Sequence, residues 1–189
     1  MKKISCCAIL CSGLLALSGC EALLTPDAPP PPPLPAAHAA PAAPPPLNLT
    51  DVAALQSINE QGLFLQAIAA MAPTHSHRDL TKNFAKELGG TYKKVNDSVT
   101  SIAKSANLSL SSQLSPSYQI QVTSLSRLYY RDFDHGLFQR VFRPLPRQTR
   151  QSIEQTKKSS NTADLKNLAD SFLKAQTTMQ NKARDLMKY

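Results

Sequence analysis

The sequence predicts an all-α domain, four-helix-bundle-like with one helix broken by proline, carried behind a signal peptide and a disordered proline-rich linker. Three observations predict it. From Leu47 onward apolar residues recur every three or four positions, the period of a helix with one buried face. No repeat period and no hairpin signal interrupts that pattern. Ahead of it, eleven of the fifteen prolines fall between Thr25 and Pro46, a composition that cannot build a core. The domains expected are residues 1–19 as signal peptide, 20–47 as a leading cysteine and linker, and 48–189 as the bundle.

The N-terminal stretch carries Lys2 and Lys3, then an apolar run from Ile4 to Leu17, then Leu17-Ser18-Gly19-Cys20. A charged start, a short apolar centre and small residues before a cut form a secretory signal. The run is shorter than the ~20 apolar residues of a spanning helix. Because cysteine follows the expected cut, the tetrapeptide resembles a bacterial lipobox. That resemblance implies lipidation of Cys20, cleavage before it and attachment to a membrane. An aspartate after that cysteine is the usual inner-membrane retention signal; Glu21 stands there instead, which favours the outer membrane, facing the periplasm. The other cysteines, Cys6, Cys7 and Cys11, leave with the signal. Thiol nucleophiles, zinc–thiolate sites and disulfides are thereby excluded from the mature chain. The linker, with Pro29 to Pro33 unbroken, favours extended polyproline II. From Cys20 to Leu47 it would reach roughly 80 Å at ~3.1 Å per residue.

In the bundle, Thr50 is the expected N-cap of the first helix and Asp51 suits its first turn. Val52, Leu55, Ile58, Leu65 and Ile68 form its apolar stripe, and Pro73 closes it. After the polar turn Thr74-His75-Ser76-His77 comes a second helix with Leu80, Phe84, Leu88, Val95, Val99 and Ile102 inward. Gly89-Gly90 inside it marks a kink or a close helix contact. Asn107 to Leu114 is a serine-rich connector, and Ser115-Pro116 starts the next helix as cap and first-position proline. Val122, Leu125, Leu128 and Tyr129 are its expected buried stripe. A helical stretch from Phe133 to Phe142 is broken at Pro144 and Pro146 and continues from Arg147 toward Lys158. Asn161 and Thr162 cap the last helix, whose stripe is Leu165, Leu168, Phe172, Ala175, Met179, Ala183 and Leu186.

Four segments carry a family resemblance: Phe64-Leu65-Gln66-Ala67, Phe84-Ala85, Phe133-Asp134, and Asp164-Leu165-Lys166 through Ala169. In this order and spacing the chain from Asn48 to Leu186 resembles secreted or membrane-anchored bacterial proteins with a ferritin-like helical domain of unknown function. The resemblance implies a ferritin-like bundle. That family typically has an Asp-His pair late in its second helix and further histidines later. The matching positions here are Thr91-Tyr92, about Leu145 and about Met179, so the resemblance implies the fold without its metal ligands.

The residues themselves give no catalytic constellation. A carboxylate-bridged dimetal site needs Glu-x-x-His pairs; the bundle has only Glu60, Glu87 and Glu154, and none is followed by such a histidine. Asp132-x-x-His135 and His75-x-His77 are short imitations. No Gly-x-Ser-x-Gly marks a nucleophile. The expectation is no enzyme, no cofactor and no resident metal. The formal charge of +8 falls to +6 when Lys2 and Lys3 leave. An exported basic protein meets phospholipid headgroups, lipopolysaccharide, acidic polymers or acidic proteins, and no nucleic acid. Arg140, Arg143, Arg147 and Arg150 recur at spacings of three and four. If the chain stays helical across Pro144 and Pro146 they share a face suited to phosphate or carboxylate. The reading is a lipid-anchored envelope protein, non-catalytic, serving as an interaction, scaffold or stress-associated module. The competing reading is a ferritin-like metal or small-ligand binder.

Overall fold

The computed structural model describes residues 47–188; the expected signal peptide, Cys20 and the expected linker up to Pro46 lie outside them. The described chain forms seven helices: α1 (Leu49–Ala69), α2 (Ala72–His75), α3 (Asp79–Ser105), α4 (Pro116–Leu125), α5 (Tyr130–Phe142), α6 (Arg147–Ser159) and α7 (Ala163–Leu186). Four legs make the bundle: α1, α3, α7 and the α5–α6 pair. α1 packs on α3 and on α6, while α7 packs on α3, α5 and α6. The short α4 leans on α1 and α5. One continuous core runs through the legs, with Leu55, Ile58, Leu65, Leu88, Tyr92, Phe133, Leu137, Ile153 and Phe172 at its centre. The all-α bundle with a proline-broken leg is therefore the observed fold.

Local chemistry explains where each leg starts and stops. α1 begins two residues earlier than a Thr50 cap would give, because the Asn48 side chain accepts from the Asp51 N–H at 2.8 Å. Asp51 is buried, and its carboxylate accepts from the Ser160 hydroxyl at 3.0 Å. The same Ser160 oxygen receives the Thr162 N–H at 3.2 Å, so one hydroxyl joins the start of α1 to the α6–α7 junction. α3 ends on Asn107 with φ of 52°, and the Leu108 N–H returns to the Ala103 carbonyl at 2.8 Å. That is a left-handed helix stop filled by asparagine where glycine is commoner. Ser115 and Pro116 start α4 as expected, and the Ser115 N–H also donates to Glu60 Oε1 at 2.9 Å.

Several expectations change: α1 ends at Ala69, and Pro73 lies inside α2 rather than closing α1. Leu80 is 57% exposed and Tyr129 52% exposed, so neither belongs to a buried stripe. Each sits at a helix boundary, where the periodicity of the neighbouring helix no longer applies. On α7, Gln176 is buried and Ala175 only half-buried. The Gly89-Gly90 pair causes no interruption: α3 runs through both. A Cβ on Gly89 would meet Ala69 Cβ at 3.6 Å, an ordinary contact, and one on Gly90 would meet nothing within 4 Å. Gly90→Ala is therefore expected to stabilise the fold by about 0.5–1 kcal/mol, the helix-interior cost of glycine. A higher midpoint in thermal unfolding checks it, and an unchanged or lower one contradicts it.

Candidate functional site

The four arginines do not share one helical face. Helix α5 stops at Phe142, Arg143 takes an extended ψ of 128°, and α6 restarts at Arg147. The reason is proline: Pro144 and Pro146 lack N–H groups and push the residues before them out of the helical region. Arg140 is tied into the fold. Its guanidinium donates to the Gln121 carbonyl at 3.2 Å, the Gly136 carbonyl at 2.9 Å and the Ser124 hydroxyl at 2.7 Å. Burial first, and the charge of Arg143 second, lower its pKa from the ordinary value. Arg150 pairs with Glu154 one turn on, at 2.8 Å. Arg143 and Arg147 are exposed, and no ion pair among the described residues uses them. Lys157 is held by Asp170 at 2.7 Å.

The interior of the bundle is closed by a polar pair. Tyr92 is fully buried, with its hydroxyl donating to Gln176 Oε1 at 2.8 Å. Its ring meets Phe172 edge-on, centroids 6.1 Å apart. Burial pushes the Tyr92 phenol well above its ordinary pKa of 10.0. Among the described residues no three His, Cys, Asp or Glu side chains converge as a metal set. Asp132 and His135 are both exposed, and His135 instead lies 3.5 Å from the Gln139 amide.

Between α1, α3 and the connector lies a groove of about 530 Å³, lined by Asn59, Gln66, Asn96, Thr100, Leu108 and Ser111 among others. Its side chains are largely committed to the backbone. The Asn59 amide donates to the Ser111 carbonyl at 2.7 Å, and the Asn96 amide to the Asn59 carbonyl at 3.4 Å. Gln66 reaches the carbonyls of Gly62 at 3.2 Å and Tyr92 at 3.4 Å.

The turn before α3 and the α4–α5 corner form an aromatic ledge that sequence reasoning missed. His75 stacks on Tyr129 with centroids 4.7 Å apart and planes 6° from parallel. His77 stacks on Tyr130 at 4.2 Å and 13°. The two tyrosines lie 6.3 Å apart with their planes at 55°. The ring of His75 is held from both ends, Nδ1 3.0 Å from the Met71 carbonyl and Nε2 3.1 Å from the Ser126 carbonyl. Tyr130 has φ of 55°, a left-handed conformation that costs a bulky residue about 1–2 kcal/mol. The only signal for this in the sequence was two histidines two residues apart and two adjacent tyrosines. Nothing in their spacing says that they meet.

Comparison with known families fits this helical order. A family model for a domain of unknown function (DUF4142) matches residues 36–186. The chain belongs to the DUF4142 family. Among curated proteins, none matches this DUF4142 chain. A solved structure, the crystal structure of a DUF305 fragment from Deinococcus radiodurans, is similar to it with a TM-score of 0.63. The sequences are 12% identical, and the match covers 76% of this chain and 99% of that one. At that identity the likeness concerns the fold alone.

Proposed function

We propose that the protein is a lipid-anchored component of the bacterial envelope, its bundle a non-catalytic interaction, scaffold or stress-associated module facing the periplasm. The observation that carries the reading is Leu17-Ser18-Gly19-Cys20 behind a short apolar run. Cys20 is the attachment residue, and the proline-rich segment is the spacer between lipid and bundle. Two features of the bundle support an interaction role over a metal or small-ligand role. At one of the positions where the resembling family carries an Asp-His pair, Tyr92 instead closes a hydrogen bond with Gln176. Of the four arginines at that spacing, Arg143 and Arg147 are exposed and make no ion pair among the described residues, so an anionic envelope polymer or an acidic protein can meet them. Globomycin, which blocks the lipoprotein signal peptidase, is expected to accumulate the unprocessed precursor. Cys20→Ser is expected to release the protein from the membrane fraction. A Cys20→Ser protein that still sediments with membranes through covalent lipid would sink the proposal.

A further inference from the structure

We infer that the small cavity shared by Arg140 and Arg143, between α4 and the end of α5, binds a single phosphoryl group, as free phosphate or as a phosphomonoester headgroup. Four side chains line it: Gln121 from α4, Gln139 and Arg140 from α5, and Arg143 from the break that follows. Its volume is about 170 Å³, well below the ~300–1,000 Å³ of a cleft that encloses a drug-sized molecule. The space suits a small group, not a peptide or a nucleotide.

The fold holds both arginines in place, and among the described residues it neutralises neither. A guanidinium has five N–H donors. Arg140 places three of them on neutral oxygens, the carbonyls of Gln121 and Gly136 and the Ser124 hydroxyl. Two N–H groups and the whole charge remain. Arg143 is pinned through its backbone. Its N–H donates to the Gln139 carbonyl at 3.1 Å, and its own carbonyl accepts from the Gln180 amide of α7 at 3.2 Å. No described carboxylate pairs with either arginine. Residues 98–131, which include all of α4, contain no Asp or Glu, and neither do residues 135–153, which hold the rest of α5 and the break. On α7, Asp185 is held by Lys188 at 2.8 Å. The charge of Arg143 is felt at Arg140, where it adds to burial in lowering the pKa. Two like charges kept this close disfavour one another, and an anion between them reverses the sign of the interaction.

The pairing also selects the anion. A carboxylate carries one charge and is matched by one guanidinium in a planar fork. A phosphomonoester carries about −1.5 to −2 charges and three acceptor oxygens, enough to engage two guanidiniums. Gln139, whose amide lies 3.5 Å from His135 Nε2, adds a neutral donor to the lining. Because Arg140 is already ordered, little side-chain freedom is lost there on binding.

The inference rests on the reading that the exposed arginines serve an anionic partner. Anchoring is read by processing and fractionation, and phosphoryl binding by titration, so either can fail alone. The purified full chain in nonionic detergent is titrated calorimetrically with inorganic phosphate at fixed ionic strength, with glycerol 3-phosphate and acetate as further probes. One phosphate per chain is expected, displaced by glycerol 3-phosphate. Acetate is expected to bind roughly tenfold or more weakly, and Arg143→Gln to weaken phosphate binding by a similar factor, the scale of losing a hydrogen bond between charged groups. Arg143 is the test position because Arg140 also ties α5 to α4. Arg147 is exposed and unpaired too, but lies outside the cavity lining, and Arg147→Gln is expected to bind as the wild type does. Phosphatidylcholine vesicles with and without phosphatidic acid separate the two sources. Arg143-dependent binding to phosphatidic acid assigns a headgroup, and phosphate binding without vesicle binding assigns the free anion. No saturable phosphate binding, acetate binding as tightly as phosphate, or equal losses in Arg143→Gln and Arg147→Gln would overturn the inference.

Discussion

Tyr92→Ala is expected to cost about 3–5 kcal/mol of folding stability, the range for deleting a fully buried aromatic side chain. Against a typical total of ~5–15 kcal/mol, that is a large share. Two losses combine. The space between α3 and α7 beside Phe172 is emptied, and Gln176 Oε1 loses the hydroxyl that donates to it at 2.8 Å. Tyr92→Phe separates them, because the ring stays and only the hydrogen bond goes. A cost of about 1–3 kcal/mol is expected, set by leaving a buried acceptor unpaired. Tyr92→Phe/Gln176→Leu should then recover most of that cost, since removing both polar partners leaves nothing unsatisfied. Urea unfolding of the three variants measures this, and a silent Tyr92→Phe would show that the pair contributes nothing. The pH dependence has a definite sign. The folded state raises the Tyr92 pKa above its ordinary 10.0, so the folded chain holds that proton more tightly than the unfolded chain does. Its contribution is full below pH about 10 and is lost as pH rises from there toward the raised value. The wild type is therefore expected to lose stability more steeply than Tyr92→Phe in alkaline solution.

Gly62→Ala is the second substitution with a large expected effect, about 1–3 kcal/mol destabilising. A Cβ at that position would lie 1.8 Å from Asn96 Oδ1 and 2.9 Å from its Cγ. The Asn96 side chain must then swing away toward the neighbouring groove, or α1 and α3 must part. Either way the donation from Asn96 to the Asn59 carbonyl at 3.4 Å is lost. Asn96→Ala placed on top of Gly62→Ala is expected to relieve the clash, so that the double variant is more stable than Gly62→Ala alone. A double-mutant cycle reads this as a large coupling energy. Additive effects would mean that the glycine is not there to admit the asparagine.

The helical legs were legible because their signals are local. Ser115-Pro116 starts a helix and Pro144 with Pro146 stops one through backbone chemistry that needs no partner. The stripes of α1 and α3 repeat over enough turns to be read from period alone. What stayed hidden depends on contacts across the fold. Asn48 displaces Thr50 as cap because its own side chain folds back on Asp51, a choice between two adequate caps. Leu80 and Tyr129 continue a stripe in sequence, yet each lies where a helix begins or has ended. The arginine face required a helix across two prolines, and the prolines prevailed. Tyr130 carries a backbone conformation usually marked by glycine, so no residue type announced the corner that sets the tyrosine ledge. Gly62 was unremarkable until Asn96 met it from α3, thirty-four positions away.

The clasp of Asp51 to Ser160 has a mechanical consequence. Any tension transmitted along the residues ahead of Leu47 enters the bundle through the first turn of α1. A bare helix end yields to such a pull by unwinding, since its opening hydrogen bonds break one at a time. Here that turn is closed by Asn48 at 2.8 Å and fastened sideways to the α6–α7 junction at 3.0 Å. Load is therefore shared with two further helices before the first turn can peel. The end of the domain that follows residue 46 is built to be tugged.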